Sequence, residues 1–414
     1  MRAVKRLALA LVLGSAVAAC VISSFREGQF SCTQGAPNAC PEGLICARDG
    51  LCRTQDIEVD ATIESGPIAD AEVADGGIDC PDARFSVVLE ARRPTSVAAT
   101  DDGRVFVSGV QNGQGWIAEL HPCDGRILRE RAIPGALSFE ALTLSGEEIV
   151  AVGAATGTNR TGLGRFARDL STISFLPIDG YGGPSHHVNV GASGAIWVAG
   201  PRTTTTGFAA LTGTCSVNLP TTPGGIVANN QNALVLVRGA TVATLERVLA
   251  TCAREDGGVA TIKAGASDVR PRALVPLATG FAAIGNAVAP TPRNGTLVWV
   301  ATSTASGLTW TLTELDPNPN DADEGRALAF DGESLFAGVS QRAVANGGVP
   351  TLYRYPLPLV RDAQPEWSVA PFGSTDQREM RGVATTKTGD AVFVVAADAT
   401  NGAFARCNKK GQCR

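Results

Sequence analysis

His186 and His187 stand side by side, with Ser185 beside them and Tyr181 a few residues upstream. Two imidazoles, a hydroxyl and a phenol are the raw material of a metal pair or of general-base chemistry. On a strand, neighbouring residues point to opposite faces, so one ion reaches both imidazoles only if they sit in a loop. No carboxylate directly flanks the pair. The sequence therefore predicts no metal site, and Tyr181, His186 and His187 remain as candidate ligand contacts. The third histidine of the chain, His121, precedes Pro122 in a turn and reads as a solvated side chain.

A second cluster is acidic. Asp316, Asn318, Asn320, Asp321, Asp323 and Glu324 alternate oxygens in a way that resembles a Ca²⁺ loop. The central Gly is missing, Ala327 stands where a bidentate Glu belongs, and Pro317 and Pro319 suit a plain connection. Ca²⁺ is the one cofactor this leaves open. Gly-x-Ser-x-Gly, Ser-x-x-Lys, His-Glu-x-x-His and phosphate-cradling Gly loops are all absent from the sequence. No catalytic set is expected.

Arginine offers the remaining chemistry. Lys and Arg total 35, and only five are Lys. Arg160, Arg202, Arg293 and Arg342 fall in segments rich in Gly, Asn and Thr, where a guanidinium fork can grip an anionic sugar or a peptide carboxylate. Plain solvated arginines are the alternative. With a net charge of −5 and 18% charged residues, no basic footprint for a nucleic acid is present.

What positions these groups begins with an address. Arg2, Lys5 and Arg6 precede the apolar stretch from Leu7 to Val17, which is too short to span a bilayer as a mature helix. It ends in Val17-Ala18-Ala19-Cys20, which resembles a bacterial lipobox. That resemblance implies removal of residues 1–19, acylation of Cys20 and a lipid-anchored segment over 20–31. With Val21 rather than Asp after the cysteine, it implies the outer membrane. Ala273 to Pro292 carries no charge, but its prolines and glycines fit two strands and a turn better than a membrane helix.

Ten further cysteines form an even set, which in an exported chain reads as disulfides. Cys32, Cys40, Cys46 and Cys52 define a compact module over 32–53. It is similar to the short Cys-rich modules that precede larger domains in surface lipoproteins of myxobacteria. Tight Cys pairs of the kind zinc sites use are lacking, and three disulfide pairings stay open. Residues 54–80 then carry eight carboxylates between Asp56 and Asp79, with no Lys or Arg, and read as an extended acidic tether.

From 81 to 414 the chain repeats one pattern. A short apolar strand, a polar turn and a strongly apolar strand end on a small residue at Gly109, Gly153, Gly200, Gly239, Gly285, Gly338 and Ala397. A third strand usually follows, and a fourth after a tight turn. Four short strands in each unit of roughly 40–50 residues resemble a β-propeller. The fold expected is all-β with seven blades, six or eight being the neighbouring solutions; a sandwich pair or a solenoid fits the period less well. Ser303 to Trp310 resembles the Asp-box turn of sialidase-type propellers, without its Asp.

Phe85–Glu90 is expected as the donated outer strand of the last blade, antiparallel to Gly402–Arg406. Cys215 is expected to pair with Cys252. Cys80 is expected to clasp Cys407 or Cys413, with Cys123 taking the other. The simpler alternative is Cys407 with Cys413 and Cys80 with Cys123. The functional expectation is a monomeric envelope lipoprotein whose propeller binds or scaffolds a protein or glycan, without nucleic acid. Its rival is a propeller hydrolase or lyase acting on surface polysaccharide.

Overall fold

The computed structural model describes residues 45–46, 52–53, 80, 83–157, 160–179, 187–202, 207–212, 215–229, 231–255, 260–263, 267–288, 296–304, 310–315, 323–343, 347–387 and 390–413. Two compact units divide the chain, Met1–Asp75 and Gly76–Arg414. In the first, Ile45–Cys46 pairs antiparallel with Cys52–Arg53, and Cys46 lies opposite Cys52. Cys20, Cys32, Cys40 and the acidic segment lie outside the described residues.

The second unit is a seven-bladed β-propeller of four-stranded antiparallel sheets. Blade 1 is Arg92–Ala99, Val105–Gln111, Gln114–Leu120 and Ile127–Ile133. Blade 2 is Ala141–Ser145, Glu148–Ala154, Arg160–Ala167 and Thr172–Asp179. Blade 3 is His187–Val190, Ile196–Pro201, Gly207–Leu211 and Cys215–Leu219. Blade 4 is Pro223–Ala228, Asn232–Val237, Val242–Leu249 and Ala260–Lys263. Blade 5 is Ser267–Leu277, Gly280–Val288, Thr296–Thr304 and Trp310–Leu315. Blade 6 is Glu324–Phe330, Ser334–Ala343, Gly347–Pro356 and Trp367–Val369. Blade 7 takes Glu379–Thr385, Ala391–Ala397 and Gly402–Asn408 from the end of the chain and Phe85–Leu89 from its beginning.

The apolar pattern follows from the packing. Each blade is covered on both faces by its neighbours, so its middle strands read as continuous apolar runs, as in the fully buried Ala391–Ala397. Outer strands meet solvent along one side, and Cys215–Leu219 alternates accordingly. Seven apolar clusters form, each straddling two consecutive blades. Trp116, Trp197 and Trp299 are buried completely within them. Turn chemistry assists: Asn112 and Gly113 both take positive φ (50° and 77°), the geometry of a tight two-residue hairpin.

At Gly109 and Gly285 the closing glycine has a specific cause. The first strands carry a β-bulge near their start in blades 1, 4, 5, 6 and 7, where Thr95, Gly224, Arg272, Arg326 and Arg381 are the extra residues. The bulge pushes the first strand's backbone onto the second strand. A Cβ at Gly109 would overlap the Arg93 carbonyl, and one at Gly285 would overlap that of Arg270. Only glycine admits that approach.

Ring closure has the expected register, with Phe85 opposite Arg406 and Leu89 opposite Gly402. The Phe85 ring packs 5.3 Å from that of Phe404. Cys215 pairs with Cys252, joining blades 3 and 4. The expected clasp is overturned: Cys407 bonds to Cys413, and Cys80 to Cys123. After Asn408 the chain turns back at once, with Gly411 donating to the Asn408 carbonyl and Asn408 to that of Gln412, both at 2.9 Å. Cys413 is thereby returned to Cys407. Cys80 meets Cys123 in the outer turn of blade 1, so no disulfide joins the Phe85–Leu89 strand to the strand it pairs with.

Candidate functional site

The seven first strands begin on one face of the ring and surround the mouth of the central channel. A cavity of about 440 Å³ opens there, lined by residues of every blade. Its character is set by five guanidinium groups, Arg238, Arg270, Arg272, Arg326 and Arg381. Three of them, Arg272, Arg326 and Arg381, are the bulge residues of blades 5, 6 and 7. A bulge re-aims one side chain out of the pleat alternation, and three successive blades use it to bring arginine to the same ring position.

Four of the five are held by carboxylates. Arg238 Nε donates to Asp268 at 2.7 Å and Arg270 Nε to the other Asp268 oxygen at 2.8 Å. The Arg270 bond, opposed by burial and reinforced by Arg238, holds the Asp268 carboxyl below the usual carboxylate range. Arg326 pairs with Glu324 and, at 3.3 Å, with Glu379. Arg381 pairs with Glu379 at 3.0 Å. Burial lowers the Arg381 guanidinium from its ordinary value, Glu379 opposes that, and Arg326 adds to it.

Arg272 is different. It makes no hydrogen bond or ion pair with a described residue, and its Nε is buried without a partner. Burial depresses its pKa first, then the charge of Arg326; Glu324 opposes, while Arg270 and Arg238 depress it further. His187 lines the same cavity. Burial and then the Arg272 charge push its imidazole down to about 4, although its ring hydrogen-bonds the Pro223 backbone. It is neutral at pH 7, a polar contact rather than a cation.

Of the residues singled out in the sequence, His187 is brought to this mouth. Tyr181, His186 and Arg293 lie outside the described residues. Arg160 and Arg202 sit on the same face, at the 2–3 connections of blades 2 and 3, but neither lines the cavity. Arg342 is on a strand, not in a loop: the second strand of blade 6 continues to Ala343 and the third resumes at Gly347. His121 is in its expected outer turn yet part-buried, 3.0 Å from Asp124. Of the acidic cluster, 316–322 lie outside the described residues, and Glu324 serves as an ion-pair partner. Among the described residues no group of three or more His, Cys, Asp or Glu is placed to hold a metal.

The channel arginines had a signal in the sequence that loop composition concealed. Arg272-Ala273-Leu274, Arg326-Ala327-Leu328 and Arg381-Gly382-Val383 place arginine directly before a small and then an apolar residue in three consecutive units. The register of the repeats, rather than the richness of loops in Gly and Thr, marks the site.

No family model matches the chain, and no curated protein matches it in sequence. Among solved structures it is similar to the Neurospora crassa Pan2 WD40 domain, with a TM-score of 0.50 and 9% identity over 78% of this chain and 95% of that one. It is also similar to the hydrazine synthase of Kuenenia stuttgartiensis, with a TM-score of 0.50 and 13% identity over 76% of this chain and 95% of that one. At such identities the likeness extends to the β-propeller fold alone.

Proposed function

We propose that this protein is an envelope lipoprotein, acylated at Cys20 and seated in the outer membrane, whose propeller is a non-catalytic binding module. The ligand, a protein or glycan with acidic groups, docks on the face where the first strands begin. One observation carries this reading: all seven blades converge there on a cavity lined by five arginines, and rigid scaffolds with polar groups at such a concavity are where ligands bind. The lipobox residues Val17-Ala18-Ala19-Cys20 support the anchor, and the acidic segment 54–80 serves as its tether.

The test is retention of ligand by the full chain on glycan and peptide arrays. Retention without turnover is the expected result. Release of product would favour a hydrolase or lyase instead, and silence on both arrays would remove the binding reading. The anchor is tested separately: Cys20→Ser is expected to lose palmitate label and leave the membrane fraction.

A further inference from the structure

We infer that Arg272 is the recognition residue of a carboxylate subsite in the channel mouth, and that the group it takes is the free carboxylate of a peptide. The inference rests on the binding-face reading above and names the chemistry of that site.

Charge comes first. The five lining guanidinium groups face four carboxylates, Glu140 in the lining and Asp268, Glu324 and Glu379 beside it. Asp268 is shared by Arg238 and Arg270, and Glu379 by Arg326 and Arg381. Among these described groups one positive charge is left over, and Arg272 is the one without a hydrogen-bond or ion-pair partner. Glu324 acts on Arg272 only beyond ion-pair distance, and a part-buried cation without an ion-pair partner among the described residues is a standing cost to the fold, which a bound anion reduces. A monoanion balances the mouth; a second negative charge would have to displace one of the resident carboxylates.

Geometry then selects among monoanions. Arg272 keeps its buried Nε–H unpartnered. Nε–H and the neighbouring Nη–H form the planar side-on fork that receives both oxygens of a carboxylate. The bulge at Arg272 sets this fork in the cavity, flanked by Arg326, whose Nη2 meets Glu324 and Glu379 while its own Nε is likewise buried without a hydrogen-bond partner. Neutral His187, also in the lining, adds a polar contact that does not compete for the anion's charge.

The rest of the cavity describes what is attached to the carboxylate. Val97 and Leu142 line the part of the mouth contributed by blades 1 and 2, Leu328 and Val383 the parts from blades 6 and 7; each is 6–8% exposed. The lining holds aliphatic side chains and no Phe, Tyr or Trp, which suits an aliphatic residue better than the face of a sugar. A peptide C-terminus carries both requirements on one residue, its α-carboxylate for Arg272 and its side chain for the aliphatic wall. A volume of about 440 Å³ accommodates a chain end rather than a folded element.

The experiment uses the full chain in detergent and three fluorescent probes: a tetrapeptide ending in leucine with a free carboxylate, the same peptide as its C-terminal amide, and an oligogalacturonate. The free acid is expected to bind, and the amide to bind about tenfold more weakly or worse, as loss of a charged hydrogen-bonded pair requires. Arg272→Gln is expected to lose the acid by a similar factor, Arg272→Lys to fall between, and Arg361→Gln, in the connection between the third and fourth strands of blade 6 on the other face, to match the wild type. A melting curve on each variant separates lost binding from lost fold. Equal binding of acid and amide, or full binding by Arg272→Gln, overturns the subsite while leaving the binding face standing. Capture of the oligogalacturonate in preference to the peptide acid overturns the peptide class. If none of the three binds while an array ligand is retained, the inference falls and the broader reading survives.

Discussion

Arg272 occupies in blade 5 the bulge position that Arg326 occupies in blade 6, yet Arg326 meets Glu324 and Glu379 while Arg272 meets neither. Equivalent backbone positions thus carry the same side chain in two electrostatic states, one ion-paired within the fold and one without an ion pair among the described residues.

That openness has a cost in the unliganded protein. Arg272→Gln removes a part-buried cation repelled by Arg326, Arg270 and Arg238. It is expected to raise stability in the absence of ligand by about 1 kcal/mol. Urea unfolding at low salt checks this, and a lower midpoint for the variant would contradict the assignment of Arg272 as unpaired.

His187 makes stability depend on pH. Its folded pKa, about 4, lies below its ordinary 6.5, so between these values the unfolded chain binds more protons than the folded one. Its contribution is complete above pH 6.5 and is lost as pH falls toward 4. The span sets a ceiling of about 3 kcal/mol, which solvent around the part-buried ring reduces. Unfolding midpoints from pH 7 to 4 for wild type and His187→Gln are expected to converge as pH drops. A constant gap would place the titration elsewhere.

The seam of the ring is held by side chains of a five-residue strand. Leu89 is 4% exposed there and Val88 is 55% exposed on the opposite side. Leu89→Ala is expected to cost about 2–3 kcal/mol, and Val88→Ala under about 0.5 kcal/mol. Denaturant titration of the two variants measures the register directly, because a slip by one residue would exchange their effects.

Disulfide mapping without reduction is expected to recover Cys80–Cys123, Cys215–Cys252 and Cys407–Cys413. The bridges differ in the length of chain they close, with separations of 43 and 6 residues for the first and last. On the chain-entropy model, replacing both cysteines by serine is expected to cost about 4 kcal/mol at Cys80–Cys123 and about 2 kcal/mol at Cys407–Cys413. Thermal unfolding of the two double variants ranks them.

The sequence by itself determined the propeller, its blade number and its closing strand. Those follow from period: residues such as Val392 to Val395 are apolar without interruption because both faces of their blade are covered, and that requirement recurs in every unit. The strand from Phe85 was legible because the last unit ends one strand short. Pairing of Cys215 with Cys252 followed from adjacent blades. The pairing of Cys407 with Cys413 is not legible in the repeat, because a short turn, set by Gly411 at φ 76° and by hydrogen bonds local to Asn408, decides where Cys413 points, and no period reports that. Repeat register marks the channel arginines in the sequence, but that they meet at one mouth is decided by the tertiary structure. Arg272, Arg326 and Arg381 lie far apart in the chain, and each reaches the axis through a bulge that only the meeting of two strands creates. Which of them lacks a counter-ion follows first from the residue two positions earlier on its own strand: Glu324 precedes Arg326 and Glu379 precedes Arg381, whereas Arg270 precedes Arg272. The packing of blade 7 against blade 6 then adds Glu379 to Arg326 as well, a contact only the assembled ring supplies.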